Sequence, residues 1–344
     1  MNEHVGGVFL LGSCFEIGGG IREDQKEPWQ AEREATQGWE SFHISESDPN
    51  YPSKKDAKAM RNEIVASVVA LKRLVKRLRL NPDDLRNTPL YIATSIPAHS
   101  LEEEIGRLLK SVDIPRVWED QEVRNRLLFS MTNPLTGLKV LSNANSCFAS
   151  ENCGARGNNA TFGDTSVAGF QALEEAWFDI SEGRSTYAIV GVGASCGRAS
   201  QLSLRGLAGP AKLQKETEAA VFLVLGNKMG METIGVHAPI RIKHLEQMPS
   251  IPDILEQADE HSCFESEDDS DTFNVYSDPL GYFPETGADQ LNLSYDIGNL
   301  GAASLLCSIA LAQDHLATRK YAAAVCRDKD VYGRETRVDL EVCS

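Results

Sequence analysis

The sequence predicts an α/β fold made of two similar halves, and three observations predict it. Residues 157–176, GNNATFGDTSVAGFQALEEA, read as a strand that runs through a tight turn into a helix. Thr161 and Phe162 suit a strand, Gly163 and Gly169 permit close backbone approach, and Ala168, Ala172, Leu173 and Ala176 repeat at helical spacing. Residues 295–313, YDIGNLGAASLLCSIALAQ, repeat that plan as a Gly-led turn entering an apolar helix. The helices after Ser166 and after Asn299 thus look like the paired buried helices of a duplicated chain. Apolar strands at 90–94, 187–192 and 218–225 supply the sheet around the first of them.

Length and composition set the frame. A chain of 344 residues with 42% hydrophobic residues buries a large core, in one large domain or two moderate ones. The division expected is an N-terminal half over residues 1–228, carrying the turn at Ser166, and a shortened C-terminal half over 229–344. A net charge of −16 repels nucleic acid. No apolar run approaches the roughly 18 to 20 residues of a membrane span, the longest being AAVFLVLG at 219–226. The N-terminal run MNEHVGGVFLLGSC lacks a basic lead and is short for a signal sequence, so it reads as a first core strand of a cytoplasmic protein. The eight cysteines show neither metal-ligand spacing nor a disulfide framework, and they read as reduced, mostly buried thiols. Neither a cofactor nor a metal site is expected. Gly191 and Gly193 mimic part of a dinucleotide loop, without the third glycine or the acidic residue it requires.

The remaining elements follow in order. Residues 18–50 read as an irregular excursion anchored by Trp29 and Trp39. A helix over 55–80 sets Ile64, Val68, Leu71, Val75 and Leu78 on its apolar face and ends before Asn81-Pro82. Its other face carries Lys72, Arg73, Lys76, Arg77 and Arg79, with Arg86 just beyond. That charge run is either a solvated face or a docking patch for an acidic partner. In the second half, a helix is expected at 252–261, an acidic loop at 265–271, and strands at 272–277 and 335–342.

The segment 157–176 resembles the active-site turn of the β-ketoacyl synthases of the thiolase superfamily: Gly157, Thr161, Gly169, Ala172, Leu173 and Ala176 fall in register with that family's motif. Asn81, Asp84, Leu85 and Arg86 resemble its "Asp-Leu-Arg" turn, and residues 141–145 its "L-P-N-M" region. Residues 298–304, GNLGAAS, resemble both its "G-H-x-x-G-A-A-G" and "G-N-x-x-A-A-S" turns. The resemblance covers most of 57–342. It implies a thiolase-like five-layer α-β-α-β-α fold with two pseudo-equivalent halves, and a dimer formed by strand pairing beside the active-site turn.

It also implies a site with altered chemistry. The family's catalytic cysteine corresponds to Ser166, its second histidine to Asn299, its lysine to Ser294, and its first histidine to Tyr276, Ser277 or Asp278. A helix dipole lowers a thiol into the reactive range, but a hydroxyl needs a neighbouring general base. None of the seven histidines falls at the expected position, and His261 is the remaining sequence candidate. Ser166 is therefore either a small helix-start residue left after loss of catalysis or an acyl-accepting serine, and Asn299 either a turn residue or an oxyanion donor. Asp164 is expected to cap the following helix. Two functions follow from the resemblance. One is a degenerate, non-condensing partner, scaffold or accessory subunit, paired as a homodimer or as a heterodimer with a ketosynthase-like subunit. The other is a serine-dependent acyltransferase acting on an acyl thioester.

Overall fold

The computed structural model describes residues 7–18, 21–22, 39–40, 44–95, 121–122, 141–194, 216–236, 240–248, 271–278, 290–318, 320–330 and 332–343. Among the described residues the main sheet has eleven strands, ten of them in one continuous path. The first five are β1 (Val8–Ile17), β2 (Leu90–Thr94), β3 (Asn159–Gly163), β4 (Tyr187–Ala194) and β5 (Ala219–Gly226). The second five are β6 (Ile240–Met248), β7 (Thr272–Ser277), β8 (Gln290–Asn292), β9 (Ala323–Lys329) and β10 (Glu335–Val342).

The spatial order is β3-β2-β4-β5-β1 in the first half and β8-β7-β9-β10-β6 in the second. Each half holds three parallel strands and ends in two antiparallel ones, so the halves share one topology. They join where β1 and β6 pair antiparallel, Val8 opposite Ile242. The short strands Ile21–Arg22 and Trp39–Glu40, within the expected irregular excursion, pair with β1 and with Glu216–Thr217.

Five helices matter for the site: α1 (Asn62–Arg77), α2 (Ala144–Cys153), α3 (Val167–Ser181), α4 (Lys228–Ile234) and α5 (Ser304–Ala317). Because side chains alternate along a strand, β2 feeds two cores. Leu90 and Ile92 join an outer core with Ala70, Leu71 and Leu74 of α1, whereas Tyr91 and Ala93 join a central core with α3 and α5. α3 and α5 pack on each other in that central layer, each against strands of its own half. The outer helices on the first half, the first-half strands, the α3–α5 pair and the second-half strands are, among the described residues, four of the five layers of the expected fold. The helix expected at 252–261 lies outside the described residues.

Two local expectations change. The helix expected over 55–80 divides into a turn at Lys54–Ala57, capped by Ser53, and α1, which ends where Arg79 takes φ 52°. The sequence reading also passed over β6 and β9. β9 sits inside the sheet, but its C-terminal Arg327-Asp328-Lys329 hides an apolar alternation limited to Ala324 and Cys326. Of the six described cysteines, Cys14, Cys307 and Cys326 are buried while Cys147 is exposed. Among the described residues, no helix is long and apolar enough to cross a membrane.

Candidate functional site

Ser166 stands at the start of α3, a 15-residue helix. Its residue is 5% exposed, and its hydroxyl makes no capping bond. The helix starts there because Gly169 lets it approach the turn that follows Asn299: a Cβ at Gly169 would meet the Ala302 carbonyl oxygen at 2.9 Å. Gly157 plays the same part at the strand's entrance, where a Cβ would meet the Asn87 carbonyl oxygen at 2.6 Å. Two glycines of the motif are thus fixed by backbone crowding.

The turn before Ser166 is clasped to the C-terminal hairpin. Arg334 donates to both carboxylate oxygens of Asp164, at 2.9 and 3.0 Å, to the Thr165 hydroxyl at 2.8 Å, and through Nε to Asp330 at 2.7 Å. Thr165 in turn donates its hydroxyl proton to Asp330 Oδ2 at 2.7 Å. Asp164 accepts from the Thr165 N–H and from Arg334, so it does not cap α3 as expected. The Arg334 hydrogen bonds hold its carboxyl below the ordinary carboxylate range.

That clasp brings β9 against Ser166. Asp328, 1% exposed, lies opposite Ser277 on the neighbouring parallel strand. The hydroxyls of Ser166 and Ser277 face its carboxylate and favour the charged form, although neither carboxylate oxygen nor Ser166 Oγ closes a hydrogen bond of standard geometry. Burial dominates, and with the negative charges of Asp330 and Asp278 nearby it pushes the Asp328 carboxyl up to about 7. Asp328 lies far along the chain from Ser166, on a strand whose apolar alternation is short.

Two of the positions matched by the resemblance, Ser277 and Ser294, meet. Ser277 and Ser294 place their hydroxyl oxygens 3.3 Å apart, and the Asp278 N–H donates to Ser294 Oγ at 2.8 Å. Asn299 accepts from the Gly301 N–H through Oδ1 at 3.0 Å, closing a turn that leads directly into α5. The described histidines lie elsewhere. His244 sits on β6 beside Glu246, and His315 stacks on Phe273, at the opposite end of β7 from Ser277. His261 lies outside the described residues. Among the described residues no cluster suited to a metal ion occurs.

On the outer face, α1 behaves as an amphipathic helix with one amendment. Arg73 is committed to Glu16 and Asp48, so it leaves the basic patch. Lys72, Lys76 and Arg79 line a groove floored by Val75, Leu80 and Leu85.

No protein-family model and no curated protein matches the sequence. Solved structures do match over nearly the whole chain. A β-ketoacyl synthase from Burkholderia phymatum aligns with a TM-score of 0.71 at 13% identity, covering 98% of this chain and 100% of that one. A chain from a complex of a type II polyketide acyl carrier protein with its ketosynthase gives 0.69 at 15% identity, covering 98% and 99%. The ishigamide ketosynthase/chain length factor gives 0.68 at 14% identity, covering 98% and 100%. The fold is therefore the ketosynthase form of the thiolase-like α/β fold.

Proposed function

We propose that this chain is a non-condensing ketosynthase-fold subunit that pairs with a second ketosynthase-like chain and receives an acyl carrier protein. The observation that carries this reading is the set of carboxylates behind Ser166. Decarboxylative condensation develops negative charge on a thioester oxygen and requires donors aimed at it. The resemblance matches the family's first histidine to Tyr276, Ser277 or Asp278, and Asp328 and Asp330 are buried beside the last of these. Ionised carboxylates only accept hydrogen bonds and would oppose an enolate. The Asn299 amide is the donor that remains among the two site residues named from the sequence.

Two further features support the partnership. Among the described residues β3 is the edge strand of its half, and it is half-exposed beside the Ser166 turn, which offers one side of its main chain to a partner strand. The groove at Lys72, Lys76 and Arg79 offers positive charge around an apolar floor, suited to an acidic helical carrier. Among the structural relatives, one is a ketosynthase solved with its acyl carrier protein, and another is a ketosynthase/chain length factor pair.

The test supplies the purified chain with acyl- and malonyl-loaded carrier protein and measures carbon dioxide release and chain extension. The expected result is neither, with extension appearing only when a complete ketosynthase subunit is present. Extension by this chain alone would overturn the reading. Association is checked by light scattering. Asn158 accepts from the Leu90 N–H, so by alternation the main chain of Thr161 faces away from β2. Thr161→Pro is then expected to remove an outward N–H and yield a monomer; an undisturbed dimer would exclude β3 as the contact.

A further inference from the structure

We propose that Ser166 and Asp328 form a nucleophile and general-base pair that takes up an acyl group from an activated acyl compound. The site is distinguished by what its groups lack. Two other buried aspartates are held by donors: Asp179 by Tyr91 and Arg184, and Asp330 by Arg334, Thr165 and the Tyr332 N–H. Buried polar atoms are nearly always satisfied in this way. Asp328 and Ser166 are among the exceptions, two almost fully buried groups that face each other while neither carboxylate oxygen nor the hydroxyl oxygen closes a hydrogen bond of standard geometry. A carboxylate with free lone pairs beside a serine hydroxyl is the arrangement a base needs.

The surroundings fit that role. Ser166 opens a four-turn helix, whose N-terminal partial charge stabilises an oxyanion formed at the attacked carbonyl. The groups facing Asp328 are Asp278 at the end of β7 and Asp330 after β9, which both disfavour its charge, while Arg334 neutralises Asp330. Glu335 on β10 adds a further buried carboxyl beside Asp278. This balance leaves Asp328 able to accept and return a proton around neutral pH.

The step balances within the pair and its substrate. Ser166 Oγ bonds to the acyl carbon as its proton moves to an Asp328 oxygen. The bond from the acyl carbon to the leaving group then breaks, and the leaving group takes the proton back from Asp328. The products are an acyl-serine ester and a neutral thiol or alcohol. No carbon–carbon bond forms, so the step is independent of the partnership proposed above, and the two readings fail separately.

Because Ser166 is nearly enclosed, the probes are small: p-nitrophenyl acetate and acetyl-CoA, followed by intact mass and peptide mapping. A single acetyl group on Ser166 from either probe is expected, absent in Ser166→Ala. Asp328→Asn is expected to slow labelling by about 100-fold or more. In the wild-type chain the labelling rate should rise through neutral pH along one ionisation and then level off, a readout that requires no variant to fold. No adduct from either probe, an adduct confined to other residues, or Ser166 labelling indifferent to both pH and Asp328→Asn would each overturn the proposal.

Discussion

Replacing Asp328 by Asn should stabilise the fold at alkaline pH and leave it nearly unchanged in acid. In the native state burial and the neighbouring carboxylates push the Asp328 carboxyl up to about 7, whereas an unfolded aspartate titrates near ~3.9. The sign follows from proton binding. Between those values the folded chain holds a proton that the unfolded chain has released, so this group's contribution is complete in acid and declines as pH rises through the folded value. The loss amounts to about 4 kcal/mol in all, of which about 3 kcal/mol falls between about pH 5 and pH 8.5. Asn keeps the shape and has no charge to bury, so the variant removes that slope. Urea denaturation of both chains at the two pH values reads the difference directly, since the other carboxyls with raised values, Glu174, Asp296, Asp314 and Glu335, are common to both and cancel. Parallel pH dependences for wild type and variant would refute the placement of Asp328 as an uncompensated buried carboxylate.

Arg334→Met should destabilise the chain by about 3 kcal/mol at neutral pH, because it strips the cation from the buried Asp330 and releases Asp164; equilibrium unfolding measures it. The Asp164 share of that clasp carries the opposite pH sign to Asp328: its folded value is depressed, so its contribution is present above the ordinary carboxylate range and lost as pH falls through the folded value. Gly169→Ala should cost about 2 kcal/mol by driving a methyl group against the Ala302 carbonyl, and an unchanged melting temperature would show that the two central helices do not meet there. Lys76→Glu with Arg79→Glu should weaken capture of an acyl carrier protein and flatten its salt dependence, as measured by titration calorimetry at two ionic strengths.

Much of the fold was legible because the motif around Ser166 is written in backbone requirements. Gly157 and Gly169 stand where neighbouring main chain leaves no room for a Cβ, and the small residues of α3 let it pack on α5. Strands with long apolar runs, such as β4 and β5, were equally plain, since both of their faces are covered. β9 was not. Its site end is charged, and its value to the fold is that it aligns with β7 and carries Asp328 to Ser277. Sequence spacing carries no trace of a pairing made by the sheet. The clasp of Asp164 by Arg334 was hidden for the same reason, and a local reading assigned Asp164 to a helix cap instead.

These omissions share a physical cause that bears on the chemistry. The first half supplies the turn, the helix dipole and Ser166, all encoded within one stretch of chain. The second half supplies every carboxylate behind it: Asp278 from the end of β7, Asp328 from β9 and Asp330 from the hairpin that follows. The site lies where the two halves meet, and Arg334 spans the junction together with the Thr165–Asp330 hydrogen bond. Replacing a thiol by a hydroxyl removes the reactivity that a helix dipole alone sustains, so any chemistry left at this turn has to come from the opposite half. Asp328 is the group placed there with its lone pairs uncommitted. The double variant Asp328→Asn with Arg334→Met therefore separates two roles. If Arg334 acts by holding the halves in register, its replacement slows Ser166 acetylation when Asp328 is intact and adds little once Asp328 is gone. Equal effects in both backgrounds would make the clasp structural and nothing more.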